Sequence, residues 1–196
     1  MTDKGNYVTA AGAKAGDRII LTKSAGIEGT AILASDRSTQ LAPTIGSKML
    51  NDAKAFYEKI SVVNEALTAF KTGGVHAMHD PTEGGIVGGI HEMADAAKLS
   101  ATIFEDKIAV MPETSEICNF FKIDPLQLIS SGALLIAVEQ EKTAEIIESL
   151  GKKRITASEI GIFESEIKRR VLVKRDKSVV DLPRPLSDHL WSALKK

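Results

Sequence analysis

The chain has 196 residues, with 25 Lys plus Arg against 26 Asp plus Glu and a formal net charge of −1. That length fits one domain with a core of its own, and the near-neutral balance without a basic block argues against nucleic acid as a main partner. The single cysteine, Cys118, cannot form an intrachain disulfide, and the longest apolar run is about the size of ALLIAV, far short of the ~20 residues a membrane span needs.

The opening MTDKGNY is polar and carries no charged-then-apolar leader, so a soluble, cytoplasmic protein with no membrane partner is expected. GDRIILTK then reads as a short apolar strand, and SAGIEGTAILASD as a glycine-bearing turn running into a helix. From Ser47, the residues Met49, Ala53, Phe56 and Ile60 fall at the spacing of one helical face. SVVNEALTAFKTGG reads as a shorter helix with Ser61 as N-cap and Gly73 and Gly74 as its terminator, and VHAMHD as a strand. Ile86, Ile90, Met93 and Ala97 repeat the helical spacing. Cys118 falls on the apolar face of a helix, where inert core is the simple reading.

SATIFED and GALLIAV read as strands, the second apolar on both faces and therefore central in a covered sheet. TAEIIESLG is a helix ended by Gly151, ITASEIGIF alternates imperfectly, RRVLVKR reads as an edge strand, and PRPLSDHLWSALKK ends in a short helix. Strands and helices interleave without repeats or low-complexity segments. The pattern predicts a layered domain of helices on a mixed sheet, α/β or α+β, and periodicity does not choose between them.

The stretch HDPTEGGIVGGIHEM, residues 79–93, carries the most chemistry. Asp80, Pro81 and Glu83 match a capping box, with Asp80 at N-cap, Pro81 at N1 and Glu83 at N3. A cap does not need Gly84, Gly85, Gly88 and Gly89, because an interior glycine costs a helix roughly 1 kcal/mol. Such a bare surface beside a helix start suits either close packing or a phosphate or carboxylate group, and from the pattern the two readings weigh evenly. Two carboxylates beside a phosphate repel it unless one is committed to capping and another carries an ion such as Mg²⁺.

SAGIEGT is a weaker second glycine turn, with Ser24 and Thr30 as candidate hydroxyl donors; neither turn spells a Walker or dinucleotide fingerprint. His76, His79 and His91 surround the first turn. HEMAD lacks the second histidine of a zinc HExxH motif, so no metal ligand is assigned. His79, beside Asp80, is the candidate for an imidazole facing a ligand, although a partly exposed structural histidine is the simpler reading.

AMHDPTEGGIVGGIHEMA resembles the M-x-D-P-T-R-G-G-L segment of the HypE-type hydrogenase maturation factors and their relatives in the aminoimidazole ribonucleotide (AIR) synthase, PurM-like superfamily. That superfamily also includes thiamine-monophosphate kinase and selenophosphate synthetase. GDRIILTKSAGIEGTAILAS resembles the segment that begins the second half of those proteins, and LISSGALLIAVEQEKTAEIIESLG with ITASEIGIF resembles their strand, helix and closing strand. The likeness runs in order from about Gly16 to the C-terminal helix.

What it implies is an α+β C-terminal domain over residues 17–196, a mixed sheet layered with helices, behind a linker remnant at 1–16. In the family an N-terminal half holds ATP with Mg²⁺ and dimerises. That half is expected to lie outside this chain as a missing partner, with a shortened form favoured over a natural stand-alone half, and a homodimer is implied for the full-length protein. Carried over by position, Asp80, Thr82, Gly84 and Gly85 would face the cleft between halves and approach nucleotide phosphate or a small-molecule substrate. Gly26, Glu28 and Gly29 would sit near the same cleft, and His79 joins the set as Asp80's neighbour.

The sequence departs from the family pattern at two places. Glu83 stands where the hydrogenase factor commonly has arginine, and the chain ends LWSALKK instead of in the cysteine that becomes a thiocyanate. The nitrile-forming reaction is therefore not expected. The resemblance implies part of an ATP-dependent enzyme, inactive by itself, with no catalytic residue assigned. The alternative is a stand-alone, non-catalytic interaction or regulatory domain.

Overall fold

The computed structural model describes residues 7–165 and 169–196; residues 1–6 of the expected linker fall outside that range. Its strands are β1 (Arg18–Thr22), β2 (Val75–His79), β3 (Ser100–Phe104), β4 (Leu135–Val138), β5 (Ala157–Glu164), β6 (Arg170–Val173) and β7 (Val179–Asp181). They form one sheet in the order β2-β4-β1-β5-β3-β6-β7. Neighbours run antiparallel except β3 and β6, which are parallel, so the sheet is mixed and the fold is α+β.

The helices are α1 (Ile27–Asp36), α2 (Ser38–Lys54), α3 (Val63–Thr72), α4 (Gly85–Ala97), α5 (Pro112–Phe121), α6 (Thr143–Lys152) and α7 (His189–Leu194). The strand period of two assigns them to faces. Ile19 and Leu21 of β1, with Leu135 and Ala137 of β4, pack on Ile27 of α1 and on Ile86, Ile90 and Met93 of α4. The alternate residues Ile20, Ile136 and Val138 pack on Ala69 of α3 and on Ile146 and Leu150 of α6. Helices on both faces explain why GALLIAV is continuously apolar: all four residues of β4 are buried, each worth roughly 1.5–3 kcal/mol for its larger side chains. An outer layer of α2, α5 and α7 closes over α1 through Leu33, Leu41, Ile117, Phe121 and Leu190. Cys118 lies in that layer, 1% exposed, as inert core. No helix of the described residues is long and apolar enough to cross a membrane.

Several local expectations are corrected. The helix read from Ser47 does start there, after a break at Gly46 (φ 78°, ψ 158°), but another helical stretch from Ser38 precedes it and Ala55–Lys59 continues as 3₁₀ helix. Ala53 and Phe56 of its stripe are buried as read. Ser61 does not cap α3, whose N-cap is Val62 with no side-chain bond. Gly151 does not end α6, which runs to Lys152, and Arg154 takes the left-handed turn at φ 62°. RRVLVKR is not an edge strand: β7, three exposed residues too short to stand out in sequence, pairs outside β6.

Candidate functional site

Because β4 runs antiparallel to both β1 and β2, those two strands are parallel to each other and end on the same side of the sheet. Lys23 follows β1 and Asp80 follows β2. Each strand leads into a glycine turn and then a helix, α1 after Gly26 and α4 after Gly84. The segment that enters β4 passes between the two turns and is bonded to both. Ser130 N–H donates to Pro81 O at 3.0 Å, Gly26 N–H to Ser130 Oγ at 2.7 Å, and Gly29 N–H to Ile129 O at 3.0 Å. Thr22 and Leu134 exchange two more bonds, Thr22 N–H to Leu134 O and Leu134 N–H to Thr22 Oγ1, both at 3.0 Å.

Asp80 sits at this junction. One carboxylate oxygen, Oδ1, is buried and has no hydrogen-bond partner among the described residues. Burial is the main reason its carboxyl is held above the usual 3.8; a bond from the Gly132 amide opposes this, the Glu28 charge adds to it, and His79 and Lys23 oppose it weakly. Glu28 lies in the first turn of α1. Lys23, at φ 56°, is turned toward the start of α3: its ammonium donates to Lys59 O at 2.7 Å and Ser61 O at 2.9 Å and pairs with buried Glu65 at 2.9 Å. The cation is thus largely committed, and the Asp80–Glu28 pair keeps a negative excess.

The helix start departs from the capping-box expectation. Asp80, Pro81 and Glu83 are not N-cap, N1 and N3; α4 begins at Gly85, and Gly84 is the N-cap in left-handed conformation at φ 76°. The capping carboxylate comes from 104 residues away: Gly84 N–H donates to Asp188 Oδ2 at 2.7 Å. Asp188 is 3% exposed, and its other oxygen accepts from Leu190 N–H at 2.7 Å, so one side chain caps both α4 and α7. DPTE satisfies the local pattern, but a pair of glycines able to adopt positive φ gives the chain a different entry, at φ 76° and 59°.

Packing accounts for much of the glycine content. A Cβ on Gly85 would stand 2.5 Å from Leu128 O and 2.8 Å from Leu126 O. On Gly88 it would meet Glu83 O at 2.5 Å, on Gly89 Leu135 Cδ1 at 2.8 Å, and on Gly29 the Leu128 side chain at 2.4 Å. Thr82 and Glu83 are exposed at the rim.

The structure therefore brings Asp80, Thr82, Gly84, Gly85, Gly26, Gly29 and Glu28 to one end of the sheet, with the glycines buried and the two carboxylates partly open. His79 is on the strand just before Asp80, bonded through Nε2 to Glu92 Oε2 at 2.5 Å. The three histidines do not form one group: His76 bonds Asp17 at 2.9 Å and His91 bonds Leu182 O at 2.8 Å. Thr30 is spent on Thr114 at 2.8 Å inside the protein. Among the described residues, no three His, Cys, Asp or Glu side chains are grouped to hold a metal. Sequence reasoning passed over Ser130, Gly132 and Asp188. The polar island SSG inside the apolar run LISSGALLIAV was the available sign of the first two. SDHL marks Asp188 as a local cap, but nothing local marks its bond to Gly84.

The family described as AIR synthase related protein, C-terminal domain, matches residues 14–174. Over 188 residues the chain is 28% identical to a protein described as a hydrogenase expression/formation protein of Methanocaldococcus jannaschii, covering 93% of this chain and 53% of that one. A crystal structure of Escherichia coli HypE, a hydrogenase maturation protein, superposes with a TM-score of 0.78 at 23% identity, covering 95% of this chain and 55% of the other. A hydrogenase maturation protein HypE solved in complex with ATP superposes at 0.71 with 20% identity, covering 93% and 55%. The chain spans about half the length of the proteins it matches.

Proposed function

Because the chain belongs to the AIR synthase related family through its C-terminal domain, we propose that it supplies one wall of a cleft holding the phosphates of ATP or of a second substrate, as half of an ATP-dependent enzyme of the hydrogenase maturation type. The observation that carries this reading is the buried, unpartnered Asp80 Oδ1 at the shared end of β1 and β2. An unsatisfied buried polar atom costs about 1–3 kcal/mol, more when charged, and such cost concentrates where a ligand relieves it. The HypE relative solved with ATP supports the choice of ligand.

The residues present fit a Mg²⁺ ion shared with phosphates and do not fit a self-contained cage. Asp80 and Glu28 supply two hard carboxylate donors, fewer than a full octahedral set, so phosphate oxygens and water would complete it. When bound, the ion supplies charge neutralisation at the phosphates. This chain's own part is positional. Thr82 offers a hydroxyl at the rim, the SSG segment fixes Asp80 through the Gly132 amide, and the Asp188 cap holds the start of α4 in place. The upstream ATP-binding half is then the partner that closes the site, a homodimer being the expected full-length state.

A second reading, a stand-alone interaction domain, draws on the packing at Gly85, Gly88 and Gly89, which leaves those glycines no need of a ligand. Calorimetric titration with ATP and Mg²⁺ separates the two, using this chain alone and joined to an upstream half. Heat only in the joined protein, lost in Asp80→Asn and Thr82→Ala while both variants stay folded, is the expected result. Unchanged affinity in both variants removes the turn from the site.

A further inference from the structure

Toward the β7 edge of the sheet, and further along α4 from its glycine start, the second half of α4, the start of β6 and the segment after β7 line an open cleft of about 440 Å³. Its charged lining is His91, Arg169, Arg170, Asp181 and Arg184. Three guanidinium groups thus meet one lining carboxylate, Asp181, and the nearby Asp95 is shared: its Oδ1 pairs with Arg170 Nη2 at 2.5 Å and its Oδ2 with Arg184 Nη2. Among the described residues that line it, counted with Asp95, positive charge exceeds negative by one, while Glu164 lies beside Arg169 and Glu92 beside Arg184 in the adjoining depressions.

Two features make this more than a solvated charge cluster. The Arg170 side chain is 10% exposed, and its Nε is buried with no hydrogen-bond partner among the described residues, a charged donor left unsatisfied next to the cleft. The backbone that carries the arginines is fixed from three sides: Ala101 N–H donates to Arg169 O at 3.0 Å, Leu182 N–H to Arg170 O at 2.9 Å, and His91 Nε2–H to Leu182 O at 2.8 Å. Burial, then the Arg184 and Arg170 charges, hold His91 below its usual 6.5, so the imidazole is a neutral strut and not a competing cation. Three guanidinium groups around one opening, one of them with an Nε–H still unpaired, suit a tetrahedral oxyanion.

We propose that this cleft binds a phosphoryl group, free as inorganic phosphate or carried on a small organic molecule, through residues other than Asp80, Thr82 and Glu28. Asp95 is then a built-in competitor that holds Arg170 and Arg184 until the ligand displaces it.

The test follows the His91 ring proton by NMR while inorganic phosphate is added at constant ionic strength. A saturable shift is expected, with affinity about tenfold weaker in Arg184→Ala, the loss of one charge-assisted contact, and no saturation in Arg170→Met. Arg184 is half exposed, so its variant folds even if Arg170→Met does not. Asp95→Asn is expected to tighten binding severalfold, a gain that a purely structural ion pair would not produce. Glucose 6-phosphate identifies the source: tighter saturation than phosphate indicates a phosphorylated metabolite, and equal or weaker saturation indicates the free ion. A shift that stays linear with phosphate, or identical affinity in wild type, Arg184→Ala and Asp95→Asn, overturns the site.

Discussion

Replacing Asp188 by alanine tests whether the end of the chain helps to hold the glycine turn. The wild-type carboxylate accepts two hydrogen bonds at 2.7 Å, from Gly84 N–H and Leu190 N–H, at a site only 3% exposed. Alanine removes the N-cap of α7, worth about 0.5–2 kcal/mol, and a charge-assisted bond to the start of α4, worth about 1.5–3 kcal/mol. No water reaches the two amides freely, so little is recovered, and the loss is expected at roughly 2–4 kcal/mol. With a urea slope near 2–3 kcal/mol/M for a chain of this size, the unfolding midpoint falls by about 1–1.5 M at unchanged slope. Asp188→Asn keeps one acceptor oxygen and is expected to lose about half as much. A loss below about 0.5 kcal/mol in Asp188→Ala would refute the double-cap reasoning, and so would equal losses in the two variants.

Gly85→Ala is expected to cost roughly 2–5 kcal/mol, a positive φ of 59° plus a collision with two carbonyl oxygens, read as a fall in melting temperature. Gly151→Ala is its control: the site is open and helical, so a gain of about 0.5–1 kcal/mol is expected in the same assay, and a loss there would show that the helix end needs the glycine. Asp80 gives a pH signature. Its folded carboxyl is held above the ordinary 3.8, so the folded state binds more protons and stability falls as pH rises from about that value. Asp80→Asn is therefore expected to melt higher than wild type at pH 7 and no higher at pH 3; an equal gain at both values contradicts the burial argument. The Cys118 thiol, pushed up to about 12 by burial, is expected to resist alkylation at pH 8 until the protein unfolds, and rapid labelling of folded protein would place it outside the core.

Short-range chemistry was legible in the sequence. The strands around RIILT, VHAM and LLIAV and the helices carrying Ile86, Ile90 and Met93 follow from periodicity, because each presents an apolar face that the sheet buries. The capping box misled because DPTE and the glycine pair offer two helix entries, and a carboxylate 104 residues away selects the second. The edge assignment of RRVLVKR failed for a similar reason: whether a strand is an edge depends on its neighbour, and β7 is too short and exposed to be seen in advance. At the candidate site, the resemblance brought forward Asp80, Thr82 and the glycines, and the structure brings them together. It also places protein atoms against Gly85, Gly88 and Gly89, which shifts attention from bare backbone to the Asp80 carboxylate. The three histidines, gathered around one turn in the sequence, part company because strand and helix geometry send them to different partners.

The strand order also bears on how the chain is made. Of the strands in this sheet β1 is the first to leave a ribosome, yet its neighbours are β4 and β5, with Arg18 opposite Val138 and Ile162. At about 5–20 residues per second, the 120 residues between Arg18 and Val138 take roughly 6–24 s to synthesise, while the apolar strand waits with both edges open. Its glycine turn and α1 can form early, but the sheet cannot close until the late strands arrive. Closing such distant pairs is slow and leaves sticky intermediates. Holding factors at the exit tunnel, or slow elongation near β4, would therefore govern the soluble yield of this protein more than the stability of its finished core.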